Sequence, residues 1–374
     1  MIRRPAVGRR LLLFGLLVGL AAGAPPMPAA PLGEIREILG RELLPEPDAG
    51  VLEALAFDDL RGDLRQLDPY ADWFPAPGTG DMPAGAGIAA ELEVDPDGAW
   101  LLPRQGGPLA RAGFRDRVQL LAVGGRSVSG MDAVQVAGLV RGEPGSRVRL
   151  LLVRPGAPLR YDVTLLREHA RSLDVERWDV GGTTVLRITD FAAGRTRTAL
   201  AATLERLPGG DEPVVIDLRY AGGGDLYEAI DMAGLLLEPG TELCSVRGRG
   251  ETAATYHATR GSPNGPPLFL LVGPATASAA EVFAGILQFH RRARLAGQPT
   301  FGKCQAQTER RLSDGSLLRF TNSEVHFPDH STCTGAGLVP DLPVSRDLLP
   351  NLERTLRKLP LAPDARSGIA AGSA

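Results

Sequence analysis

Lysine is almost missing from this chain: of its 41 basic residues only Lys303 and Lys358 are lysine, and the rest are arginine. Arginine keeps its proton at any accessible pH, whereas a desolvated lysine can lose one and act as a base. A lysine here therefore invites a chemical reason. Lys358 lies in a charged, helix-like tail and reads as a surface residue. Lys303 sits in Thr300-Phe301-Gly302-Lys303, just beyond a strand, and is the lead.

Other scarcities narrow the field. The formal charge of −3 gives no basis for a nucleic-acid partner. The five histidines, His169, His257, His290, His326 and His330, lie in no setting that announces a Ser-His-Asp triad. His326 and His330 straddle Pro328, share no helix face and make a poor metal pair. The three cysteines, Cys244, Cys304 and Cys333, lack metal-ligand spacing. Neither a metal nor an organic cofactor is expected. No apolar run suits a comfortable membrane span: the longest runs from Leu11 to about Ala24, behind Arg3, Arg4, Arg9 and Arg10, which is the profile of a signal peptide. Export to the periplasm or beyond is expected. Pro follows both small-residue cleavage candidates, so an uncleaved N-terminal membrane anchor is the other outcome.

At 374 residues the chain should fold as two or three domains. After the export segment (1–30), Ile35, Ile38, Leu39 and Leu43, then Leu52, Leu55, Leu60 and Leu64, carry helical spacing and predict a small helical unit over 31–80. A Pro/Gly-rich linker from Pro75 to Pro83 ends it. From 83 to 167 short alternating strands with turns at Gly124-Gly125 and Pro155-Gly156 predict a compact β-rich module, with one helix from Met131 to Val140. From 170 to 347 strands and helices alternate, predicting a layered α/β core: strands at Val185–Ile188, Val214–Leu218, Leu268–Val272 and Ala293–Ala296, and helices at Thr196–Leu207, Leu226–Leu237 and Ala279–His290. A hairpin over 308–327 turns at Asp314-Gly315. A C-terminal segment and tail follow over 348–374. In them Leu348 to Leu361 reads as a dimer helix or a simple cap.

Three pieces of the core each follow a strand, and in open α/β sheets functional groups gather at the carboxyl ends of strands. Ser278, in Gly273-Pro274-Ala275-Thr276-Ala277-Ser278-Ala279-Ala280-Glu281, stands at a helix start whose free N–H groups can face a forming oxyanion. The commoner use of Ser278 or Thr276 there is helix capping. Gly222-Gly223-Gly224, after Asp217-Leu218-Arg219-Tyr220-Ala221, let the backbone approach a substrate closely, although three glycines also make a plain flexible turn. Partial burial would lower the Lys303 pKa toward that of a general base able to take the Ser278 proton.

Together, from about Leu67 to Asp341, these segments resemble the carboxy-terminal processing peptidases (tail-specific proteases), which join a PDZ domain to a Ser-Lys core. The likeness rests on Asp217 to Gly224, Thr276-Ala277-Ser278-Ala279-Ala280-Glu281, Phe301-Gly302-Lys303 with Gln307 four residues later, and the closing Gly335-Ala336-Gly337-Leu338-Val339-Pro340-Asp341. It implies a layered core of the ClpP/crotonase-like type. Ser278 would be nucleophile, Lys303 general base and Gln307 the group that orients it, with the N–H groups of Gly223 and Ala279 as oxyanion hole. Gly85-Ala86-Gly87-Ile88 take the place of the PDZ carboxylate-binding loop, so the partners implied are polypeptides with accessible C-terminal tails. The sequence departs from the pattern at Arg117-Val118, where Gly-Asp is usual, at Tyr220-Ala221, and at Cys304, where Gly is common. Cys304 and Cys333 bracket the hairpin and are candidates to pair, in keeping with an oxidising compartment. The rival reading is a catalytically silent PDZ scaffold of the cell envelope. A homodimer or an activating adaptor stays open.

Overall fold

The computed structural model describes residues 31–361 except residues 57, 76–85, 158, 170–172, 208–211 and 263. The export segment, Gly85 and the tail beyond residue 361 lie outside the described residues.

The core sheet runs in the order Leu342–Pro343, Ala293–Gly297, Leu268–Val272, Val214–Asp217, Thr183–Arg187 and Glu176–Val180. All its pairings are parallel except that of the last, edge strand. A parallel sheet needs cover on both faces, which is why its strands read as continuous apolar runs; Leu268–Val272 is buried at every position. One face packs on helices Thr196–Glu205, Leu226–Gly234 and Ala279–Phe289, through residues such as Leu200, Met232, Phe283 and Ile286. The other face is covered by the C-terminal segment, whose Leu349, Leu352, Leu356 and Leu359 bury against Val215, Phe269 and Leu271. Among the described residues this stretch thus serves as a cap on the sheet.

A second sheet stands over the core. Strands Gln305–Arg311 and Leu317–His326 form the hairpin expected around Asp314-Gly315, and Leu317–His326 also pairs with Glu242–Gly248, which pairs with Ala254–His257. The N-terminal unit adds an edge to this sheet: Asp72–Phe74 pairs antiparallel with Leu317–Arg319. Behind that edge Ile35, Leu39, Leu64 and Trp73 pack on Leu318 and Phe320. Helices Leu32–Glu42 and Leu60–Leu67 fall where the spacing predicts.

The β-rich module is a separate antiparallel sheet, Ala90–Asp95, Gly98–Pro103, Val118–Val123, Arg147–Val153 and Arg160–Leu166, with its own core of Leu101, Leu120, Val136 and Leu150. Helix Ala133–Val140 starts on a capping box in which Asp132 accepts from the Gln135 N–H and the Gln135 side chain accepts from the Asp132 N–H. Strand Ala90–Asp95 is an edge strand with no partner on its outer side among the described residues.

The module is tied to the core by buried ions. The Asp217 carboxylate takes the guanidinium groups of Arg219 and Arg187, all three side chains being 1% exposed. Burial pushes this carboxyl up, but the two arginines more than offset it and hold it well below the usual carboxylate range. Arg219 also donates to Asp116 of the β-rich module at 3.1 Å and to the Leu349 carbonyl at 2.5 Å. Asp116 accepts in turn from the Leu352 N–H. A single arginine thus joins the core strand, the β-rich module and the C-terminal cap, immediately before the glycine strip.

Candidate active site

The turn after strand Leu268–Val272 is stitched to both neighbours. The buried Thr276 hydroxyl donates to the Leu218 carbonyl (2.8 Å) and accepts from the Gly273 N–H (2.9 Å). The Ala277 N–H donates to Ala221 O, and the Phe301 N–H to Thr276 O. Thr276 therefore fastens the turn to the strands on either side. Ser278, at the mouth of helix Ala279–Phe289, has φ +58° and ψ −126°. That region is unfavourable for a residue with a Cβ, costing about 1–3 kcal/mol, and such strained strand-to-helix turns push a nucleophilic hydroxyl outward.

The glycine strip lies directly against it. Gly223 has φ +109°, and a Cβ added there would fall 2.8 Å from Ser278 Cβ and 3.1 Å from the Ala279 nitrogen. Only glycine permits that approach. The strip is held by the Phe191 N–H on Gly223 O and the Asp225 N–H on Phe191 O. Among the described residues, the N–H groups of Gly223 and Ala279 donate to no protein acceptor. Two unspent donors thus flank Ser278.

Glu281, whose side chain carries no expectation from the sequence beyond its place in the motif, turns out to join the two sides of the site. Fully buried, its carboxylate accepts from the Ser278 N–H (2.9 Å) and Lys303 N–H (2.8 Å) on one oxygen, and from the Gly302 N–H (2.7 Å) and Thr300 hydroxyl (2.5 Å) on the other. Burial pushes its pKa up, against the pull of these donors. The Ser-x-x-Glu spacing of a capping box was the available signal.

Lys303 is half-buried. Its amine donates to Gln307 Oε1 at 2.6 Å and lies 4.2 Å from the centre of the Tyr70 ring. Desolvation brings its pKa down to about 8; Asp68 and Glu281 oppose that shift and Arg319 adds to it. Among the described residues no hydrogen bond joins this amine to the Ser278 hydroxyl: the backbones of the two residues meet on Glu281, while the amine is turned to Gln307 and Tyr70. Gln307 is fixed by donating to the Thr321 hydroxyl at 3.3 Å. Nothing in the sequence links Tyr70 or Asp68 to this place, because both arrive on the turn that leads from helix Leu60–Leu67 into the edge strand Asp72–Phe74 of the N-terminal unit.

Cys304 and Cys333 form a disulfide, both being buried. It closes a loop of 29 residues that holds the hairpin, and beside it the Gly335 N–H donates to Gly302 O and the Leu338 N–H to the Thr300 hydroxyl. The bridge thus fastens the Lys303 strand to the closing glycine motif. Loop closure of that length is worth about 3.5 kcal/mol. The double substitution Cys304→Ser, Cys333→Ser, or reductant on the native chain, is expected to lower the melting temperature; equal melting with and without reductant would refute it. The remaining thiol, Cys244, is buried, and its pKa is pushed up to about 12, so it is inert as a nucleophile. His290 meets the Glu242 carbonyl and His326 lies beside Glu324; neither reaches Ser278.

In the carboxylate-loop candidate, Gly85 lies outside the described residues. The Ala86 carbonyl accepts from Gly142, and the Gly87 N–H is spent on Glu168 O at 3.0 Å. The N–H groups of Ile88 and Ala89 donate to no protein acceptor among the described residues, and Ala89 takes a left-handed turn at φ +48°. Ile88 of the motif thus keeps a free donor, and Ala89 adds one just beyond it.

Known proteins share the domains and the fold. Residues 182–344 match the model of peptidase family S41, and residues 102–154 that of a PDZ domain. Probable CtpA-like serine proteases of Staphylococcus aureus (strain N315) and Staphylococcus haemolyticus (strain JCSC1435) are 29% identical over 334 residues and 28% identical over 319, covering 85% and 82% of this chain. The chain spans 66% and 63% of the length of those two relatives. Among solved structures, a photosystem II D1 C-terminal processing protease superposes with a TM-score of 0.55 at 25% identity, covering 87% of this chain and 95% of its own. An S41 protease structure from Bacteroides fragilis NCTC 9343 superposes with a TM-score of 0.56 at 20% identity, covering 90% and 97%, and shares the fold. The chain thus carries a PDZ domain, matched over residues 102–154, set before a peptidase family S41 core, matched over residues 182–344, and along most of its length it is similar to CtpA-like serine proteases and to a C-terminal processing protease.

Proposed function

We propose that the chain is an exported serine endopeptidase that captures polypeptide C-terminal tails on its PDZ domain and cleaves near them through Ser278 and Lys303. The observation that carries this reading is the convergence of four features at the carboxyl end of one sheet. They are a strained serine, two unspent backbone donors beside it, a lysine with a lowered pKa, and a carboxylate that binds the backbones of both residues. In the reaction the neutral Lys303 amine takes the Ser278 proton as Oγ attacks the scissile carbonyl. The Gly223 and Ala279 N–H groups hold the oxyanion. The protonated amine then gives its proton to the leaving nitrogen, and water releases the acyl-enzyme by the reverse transfer. Before attack the amine must turn from Gln307 and Tyr70 to the hydroxyl, which the long lysine stem allows.

Tail capture is supported by the open edge of strand Ala90–Asp95, which can take an extended peptide as a further strand, with the Ile88 and Ala89 N–H groups set for its carboxylate. Val134, on the helix Ala133–Val140 of the same module, is 53% exposed and offers an apolar contact. Export is supported by the N-terminal profile and by the disulfide. Incubation with an unfolded protein ending in an apolar tail is expected to give fragments that vanish with Ser278→Ala, a loss of about 10⁴-fold or more. Binding of the tail with no Ser278-dependent fragment would instead favour the silent scaffold.

A further inference from the structure

The N-terminal unit contributes to the site in a way that the serine and lysine motifs do not announce. Its segment Asp68-Pro69-Tyr70 lies beside the base, and the unit is pinned to the hairpin by three bonds, one of them made by Asp68. The Thr321 N–H donates to Asp68 Oδ2 at 2.7 Å, the Leu44 N–H donates to Thr321 O at 2.9 Å, and the Trp73 indole donates to Ser316 Oγ at 3.0 Å. Thr321 is also the residue whose hydroxyl takes the Gln307 amide. One residue of the hairpin therefore fixes both groups that contact the Lys303 amine: Gln307 through its side chain, and Tyr70 through the anchoring of Asp68.

We propose that Tyr70 is a positioning residue for the base, its ring face binding the protonated Lys303 amine and thereby setting the acidity at which that amine becomes free to serve Ser278. A ring face carries negative charge density, so it favours the ammonium over the neutral amine. The same ring excludes water, which acts the other way. The charged groups around the amine are Asp68 from the N-terminal unit, Arg319 from the hairpin and Glu281 from the helix behind Ser278. Asp68 and Glu281 work with the ring and Arg319 against it. Tyr70 thus parks a cation that burial alone would expel, and release from the ring accompanies loss of the proton. The reading of Lys303 as base is presupposed, but the ring contact can be tested without turnover.

The scarcity of lysine makes that test direct. Chain grown with ¹³Cε-lysine gives two lysine signals, and the exposed Lys358 serves as internal reference. In Tyr70→Leu, which keeps an apolar wall and removes the ring face, the Lys303 pKa is expected to fall by about half a unit to one unit. In Tyr70→Phe it should stay at the native value, and in Tyr70→Ala, which admits water, it should rise. A ring-fluorinated phenylalanine introduced at position 70, with nearly the shape of phenylalanine and a weaker ring face, should lower it and covers the event that Tyr70→Leu does not fold. An unchanged or raised pKa in the leucine and fluorinated variants would overturn the proposal, leaving the ring a mere wall. So would a phenylalanine variant that shifts with the leucine one. The acid limb of kcat/KM should move with the NMR value. If the NMR value moves and the limb does not, the Ser-Lys reading fails while the ring contact stands.

Discussion

Exchanging Lys303 for arginine is expected to cost about a thousandfold in kcat, as much as Lys303→Ala, although charge is kept. This chain uses arginine for almost every other cationic task, so the lysine is retained for the one property arginine lacks, the ability to give up its proton. The amine titrates at about 8, so kcat/KM should climb tenfold per pH unit up to that value and level off beyond it. The same shift has a cost in stability. Below pH 8 both folded and unfolded chains carry the proton and the folded one bears the full burden of burying it. Between 8 and the ordinary 10.5 the unfolded chain binds more protons than the folded one, so stability rises with pH, and above 10.5 the burden is gone. It amounts to about 3 kcal/mol. Lys303→Met is thus expected to be inactive yet more resistant to urea at pH 7, with the advantage fading by pH 10.5. A methionine variant less stable than the native chain at pH 7 would mean that the amine is not held against desolvation.

How far the sequence led depended on whether a feature is local. The core strands Val214–Asp217 and Leu268–Val272 and the helix Ala279–Phe289 were readable because continuous apolar runs and a 3.6-residue period survive in one sequence. Strand Glu242–Gly248 had only weak alternation and went unread, and Asp72–Phe74 is three residues whose identity as a strand comes from its partner Leu317–Arg319. The same divide runs through the site. Ser278, Gly223 and Lys303 each follow a strand, so topology gathers what local pattern had singled out. Tyr70 and Asp68 meet Lys303 only because an edge strand from the far end of the chain is added to the hairpin sheet. The Gly87 N–H gave no sign that it would be spent on Glu168, since that bond is made across the module.

Glu281→Gln is expected to lower stability by about 2–4 kcal/mol and kcat by about a hundredfold with KM little changed. The near-isosteric change is severe because all four partners of the native carboxylate are donors: the Ser278, Gly302 and Lys303 N–H groups and the Thr300 hydroxyl. A glutamine offers one oxygen and one NH₂. If its oxygen faces Ser278 and Lys303, the NH₂ points at Gly302 N–H; Thr300 can rotate its hydroxyl to accept, but the Gly302 donor is orphaned in the interior. If it is flipped, the two residues that must meet for catalysis each lose their shared acceptor. Either way the spacing between the serine turn and the lysine strand is no longer set by one atom pair, and a displacement of an ångström suffices for a loss of this size. Tail binding on the PDZ domain is remote from this carboxylate, so affinity for a tail peptide should hold while turnover falls. Urea unfolding, kcat and KM on a peptide substrate, and tail-peptide binding measure the three quantities. Parallel losses of kcat and tail affinity would indicate general unfolding, whereas native kcat in a folded Glu281→Gln chain would show that the serine and lysine are positioned by something else.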